Sequence, residues 1–164
     1  MFIKRYFVSL LLAFTFVLQF LLACSASPQS IEGERWVIFS AEQAREQGLG
    51  DWLVTNGETL EHWTPSENDV LALEDGLDAY LQNNPDRFYG GTPVWESLDD
   101  YNRQYIGMVL DGKKIIYANY FCDSIETDWR KDFVFIMDGG DCFFQFKYDV
   151  DSAEFFDLQV NGVA

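Results

Sequence analysis

Apolar and polar residues follow two different periods along this chain. Between residues 67 and 82 the apolar positions Val70, Leu73, Leu77, Tyr80 and Leu81 recur at helical spacing, with Glu74, Asp75 and Asp78 on the other faces. The stretch "WTPSENDV" supplies a start signal, with Thr64 as N-cap, Pro65 at the first helical position and Glu67 completing a capping box. The acids Glu67 and Asp69 fall in the first turn, where the helix dipole favours them. "NNPDRFYGGTPV" stops the run, so the pattern predicts one main helix over about residues 65–83.

From residue 104 the period becomes two. "QYIGMVL" and "KKIIYANYFC" flank Asp111-Gly112, a favoured two-residue hairpin turn, and "DFVFIMD" and "DCFFQFKYD" flank Gly139-Gly140, a second one. "EFFDLQVNG" makes a last strand. Ahead of the main helix, "ERWVIFS" has a strand-like core, Ser40 with Gln43 opens a short capped helix that stops at Gly48, and Asn56-Gly57 predicts a small hairpin. A helix followed by at least four antiparallel strands defines an α+β fold. The element order β-α-β-β-β-β resembles the cystatin-like architecture, or the cone-shaped roll of the ketosteroid-isomerase type. That is a resemblance of order alone and implies no activity. The phrases "IYANYFCD" and "DGGDCFF" resemble small exported bacterial proteins of unassigned role, and they too imply no activity.

A two-residue turn at Gly139-Gly140 pairs Met137 with Cys142, Phe135 with Phe144 and Phe133 with Phe146, on one side of the sheet. Tyr148 continues that side, and Phe156, Leu158 and Val160 form a matching stripe, so this side is expected to pack on the helix. Keeping the stripes together calls for a loop of three or five residues around "DVDSA". The opposite side mixes aromatics, amides and a few charges. Its residues Tyr117, Asn119, Phe121, Phe143, Gln145 and Lys147 form the candidate binding face. The alternative is that the N-terminal segment, with Trp36, Trp52 and Trp63, folds over it.

The N-terminus places this body. Lys4 and Arg5 precede an apolar run from Tyr6 to Ala23, the layout of a secretory signal, and the run ends in "LLAC", Leu21 to Cys24. That motif resembles the lipobox of bacterial lipoproteins. The resemblance implies cleavage before Cys24, acylation of Cys24 and attachment to the membrane through its lipid. Ser25, which is not Asp, implies in a Gram-negative cell the periplasmic face of the outer membrane. An uncleaved membrane helix is the competing reading. The expected organisation is thus a signal peptide over 1–23, a Ser- and Pro-containing tether over 24–33 and one domain over 34–164. Of the 11 Lys and Arg residues, Lys4 and Arg5 lie in the leader, which contains no acid. The body therefore keeps 27 acids against nine bases, a formal charge of −18 with His62 neutral. Such a body repels nucleic acid.

With Cys24 lipidated, Cys122 and Cys142 remain, and an oxidising envelope favours a disulfide between them, worth about 3 kcal/mol. A plain meander would put these two cysteines at opposite ends of the sheet. Either the meander fails, or the long "DSIETDWRK" connection brings their strands side by side, or there is no bridge. No catalytic constellation, metal set or cofactor motif emerges. His62 is the single histidine, no G-x-S-x-G elbow or P-loop exists, and "DVDSAE" breaks the EF-hand pattern. Three functions stay open: a non-enzymatic binding module with an envelope protein or other envelope component as partner, a small-ligand or enzymatic roll with a pocket between helix and sheet near Tyr80, Tyr120 or Tyr148, and a purely structural lipoprotein.

Overall fold

The computed structural model describes residues 30–53 and 60–163. The signal, Cys24 and the Asn56-Gly57 hairpin lie outside the described residues. The elements are β1 (Ile31–Glu32), β2 (Trp36–Ile38), α1 (Ala41–Glu46), β3 (Glu61–Trp63), α2 (Glu67–Gln82), β4 (Asn102–Leu110), β5 (Lys113–Phe121), β6 (Phe143–Asp149) and β7 (Glu154–Val160). This is an α+β fold with one main helix, α2, on a mixed and mostly antiparallel seven-stranded sheet. The strand order is β1-β2-β4-β5-β6-β7, with β3 pairing beside β2 on the same edge of β4. Ile31 and Glu32 pair with Ile38 and Val37, so the sheet begins inside the stretch read as tether.

Both capping boxes form, one of them shifted. Ser40 and Gln43 close the start of α1 as expected. In α2 the N-cap is Ser66 with Asp69 as its reciprocal partner, two residues beyond the expected Thr64 and Glu67. Thr64 is used elsewhere, its Oγ1 accepting from the Ala41 N–H at 2.9 Å, so it ties the two helix starts together. The face Val70, Leu73, Leu77 and Leu81 is buried as the spacing predicted. It packs on Tyr105, Ala118, Tyr120, Phe144, Phe146 and Leu158 from the sheet.

The Asp111-Gly112 turn joins β4 to β5 in the predicted register, Leu110 opposite Lys113, with both turn residues at positive φ. Gly107 lies opposite Trp63 in the short β3–β4 pairing, where a Cβ would come within 2.3 Å of the Trp63 carbonyl oxygen. A side chain there would push β3 off the sheet.

Two expectations fail. There is no hairpin at Gly139-Gly140. Residues 132–138 form no strand, and β5 pairs directly with β6, Phe121 opposite Phe143. The chain between them makes an excursion closed by the Cys122–Cys142 disulfide, whose Cα atoms are 5.1 Å apart. The Cys122 N–H donates to the Cys142 carbonyl at 3.0 Å, extending the β5–β6 ladder by one step. The conflict between bridge and meander therefore resolves in favour of the bridge, because the long connection lets these strand ends meet.

The second failure concerns β7. The loop after Asp149 has four residues, Val150 to Ala153, instead of three or five, and Phe155, not Phe156, lies opposite Tyr148. A bulge follows, with Asp157 at φ 55°, and it returns Leu158 and Val160 to the helix side. Phe156 is left on the opposite side beside Lys147, partly exposed.

Candidate functional site

Apart from its ends, where Cys122 meets Cys142 and the Gly140 N–H donates to the Gly162 carbonyl, the excursion makes no backbone ladder with the sheet among the described residues. It lies across the face opposite α2, and a row of side-chain amides holds it there. Gln104, Asn119 and Gln145 stand next to one another on β4, β5 and β6, and Asn161 follows β7. Gln104 donates to the carbonyls of Trp129 (2.6 Å) and Asp132 (2.9 Å) and accepts from the Val134 N–H (2.9 Å). Asn119 donates to the Val134 carbonyl at 2.8 Å and to Gln104 Oε1 at 3.0 Å. Asn161 donates to the carbonyls of Ile136 (2.6 Å) and Asp138 (3.1 Å). Gln145 links Asn119 and Asn161 through longer contacts of 3.3 and 3.4 Å. The amides thus do for a non-strand segment what a ladder does for a strand: they satisfy backbone groups away from water.

This arrangement corrects the candidate face. Phe121 and Phe143 are buried beneath the excursion with Val134, and Asn119 is buried as part of the amide row. Lys147 stays on this side, its Nζ donating to Asp157 at 2.6 Å. Tyr117 and Gln145 line a cleft between the sheet and the excursion. The N-terminal cover is partial. Trp52 lies over Tyr117, Phe133 and Phe135 with ring centroids 5.9–6.1 Å apart, whereas Trp36 and Trp63 pack on the helix side. Trp129 is loop packing, edge-on to Phe121 at 5.7 Å with the Arg130 guanidinium 4.1 Å from its ring centroid.

The cleft has a volume of about 320 Å³. Aromatic rings of Trp52, Tyr117, Phe133 and Phe135 form one part of its wall, and Gln145, Gln159 and Asn161 another. No described residue lining it is charged, in a chain where 23% of residues are. Trp52 (47% exposed), Phe135 (64%) and Met137 (79%) keep large apolar surface open to solvent around it. Burial, and then the charge of Asp157, push the Tyr117 phenol up to about 12, so its hydroxyl is neutral and able to donate. That hydroxyl makes no hydrogen bond to another described residue.

A polar cluster lies between α2 and the sheet. Tyr105 and Tyr120, both fully buried, donate from their hydroxyls to the same oxygen of Glu74, and their own oxygens are 3.1 Å apart. Arg103 Nε stands 3.8 Å from that carboxylate oxygen, and the guanidinium carbon lies 5.6 Å from the centroid of the Tyr120 ring. Burial foremost, with the neighbouring Glu74 charge adding to it, pushes both phenols well above their ordinary value. Glu74, Arg103, Tyr105 and Trp36 border a cavity of about 260 Å³. The sequence pointed to Tyr120 beside a pocket between helix and sheet and did not single out Gln104, Tyr105 or Glu74. A polar Gln104 on the same side as Ile106 and Met108 was the available signal for the first.

The remaining candidates have local partners. His62 Nε2 is 2.6 Å from the Leu49 carbonyl. Asp149 Oδ1 accepts from the N–H groups of Asp151 and Ser152, and its Oδ2 from Lys113 at 2.8 Å, so it organises the β6–β7 turn. Among the described residues no group of His, Cys, Asp and Glu is arranged to hold a metal ion. No family model, no curated protein and no solved structure matches this chain.

Proposed function

We propose that this chain is a lipid-anchored, non-enzymatic binding module of the bacterial cell envelope, tethered through Cys24 and recognising an envelope component with the cleft at Trp52, Tyr117 and Phe135. The observation that carries the reading is the cleft itself: an uncharged aromatic and amide surface around which Trp52, Phe135 and Met137 stay open to solvent. A disulfide-closed, amide-clipped rim suits rigid recognition, because little ordering remains to be done on binding. The "LLAC" motif after a basic start and an apolar run supports the anchoring.

A second reading is a small-ligand or enzymatic roll, and the cavity beside Glu74 favours it. Against it, both phenol hydroxyls are already engaged by one oxygen of Glu74, which leaves the tyrosines little capacity to donate to a substrate. Membrane fractionation of the tagged full chain tests the anchoring. Cys24→Ala is expected to release a folded protein into the soluble fraction. A variant that still pellets after a carbonate wash overturns lipid anchoring in favour of a membrane helix.

A further inference from the structure

Resting on the binding-module reading, we infer that the ligand class of the cleft is a neutral saccharide. Three features of the lining converge on this chemistry. The first is charge. A body of formal charge −18 presents here a lining without a charged described residue. A charged ligand would find no charged side chain in the lining, the nearby Lys147 and Asp157 being paired with each other, and would lose hydration.

The second is the mixture of rings and amides. Trp52 and Phe133 lie tilted by 35° with centroids 5.9 Å apart, and Phe135 flanks Trp52 at 6.0 Å. Their negative ring faces suit the polarised C–H groups on the flat side of a sugar ring. Around them, the Tyr117 hydroxyl and Gln145 Oε1 make no hydrogen bond to another described residue. Gln159 Nε2 reaches only Asp157, at 3.3 Å. This set offers both donors and acceptors, as vicinal hydroxyls require. An acyl chain would bury the same groups unpaired, at the cost of their hydration.

The third is what an extended peptide would need. Peptides commonly add as a strand to an open sheet edge. The sheet edge beside the cleft is β7, and it is interrupted by the bulge at Asp157 and by Arg87, whose Nη2 donates to the Leu158 carbonyl at 2.5 Å. The cleft therefore offers a surface for rings and hydroxyls without the strand-pairing groups a peptide uses.

The test titrates full-length protein in detergent micelles against an array of neutral oligosaccharides, with the β-1,4-linked N-acetylglucosamine trimer as the soluble probe. Binding is read from indole fluorescence and from the side-chain amide NMR signals of Gln145, Gln159 and Asn161. Trp52→Ala and Phe135→Ala are each expected to weaken binding at least tenfold with unchanged thermal unfolding. Gln159→Leu is expected to weaken it less. In parallel, a photocrosslinking residue at Met137 reports on the cleft in intact cells. No binding across the array, together with a protein adduct at Met137, overturns the saccharide and keeps the binding module. No binding and no adduct of any kind overturn both. Binding that survives Trp52→Ala and Phe135→Ala overturns the site.

Discussion

At the scale of single residues, the tightest polar knot joins helix to sheet. The Tyr120 hydroxyl donates to Glu74 from a fully buried position, and Tyr105 does the same. Tyr120→Phe removes one donor to an ionisable group and keeps the ring stacked on Phe144, so it is expected to cost about 2 kcal/mol in urea unfolding. The double change with Tyr105→Phe should fall short of the sum, since both hydroxyls serve one oxygen. Asp149 gives a pH-dependent case. The Lys113 ammonium first, and then the turn N–H groups, hold its carboxyl below the ordinary carboxylate range. A depressed folded value means that this stabilisation is complete above about pH 4, where the unfolded carboxyl is also ionised, and is lost as the pH falls further. The stability difference between the wild-type chain and Asp149→Asn should therefore be constant from pH 7 to about pH 5 and shrink below pH 4 in acid-unfolding curves.

At the scale of elements, the excursion shows what an apolar run reports. Residues 133–137 are all apolar, as in a buried strand, and Val134 does point inward. Such a run records that side chains are drawn toward the core. It does not record which backbone groups pair, and here amides take the partners a neighbouring strand would have taken. The bulge at Asp157 defeated the parity argument for β7 in a similar way, because one extra residue exchanges the two faces without changing composition. The main helix face and the Asp111-Gly112 hairpin were legible because spacing and turn chemistry alone define them. That Tyr117 and Gln145 share the face away from the helix was legible for the same reason, whereas Phe135 reaches the cleft through the excursion and Trp52 through the N-terminal cover. Replacing both Cys122 and Cys142 by Ser opens a loop of sequence separation 20 and is expected to cost about 3 kcal/mol, read by thermal unfolding with and without reductant. The amide row should keep part of the excursion in place, so indole fluorescence from Trp52 should change before the α2–sheet core melts.

At the scale of the whole molecule, the two faces of the sheet have separate assignments. One is filled by α2 and the long connection from residue 83 to 101. The other is shared by α1, the excursion and the open cleft. Across this plan β2 is the odd member, since it runs parallel to β4, with Trp36, Val37 and Ile38 beside Arg103, Gln104 and Tyr105. Each of those pairings spans 67 positions of sequence. The meander β4 to β7 closes through near neighbours and is able to assemble early. β2 has to wait for a site that the ribosome makes sixty-seven residues later. β2 thus waits through a longer stretch of synthesis for its partner than any other strand of the sheet.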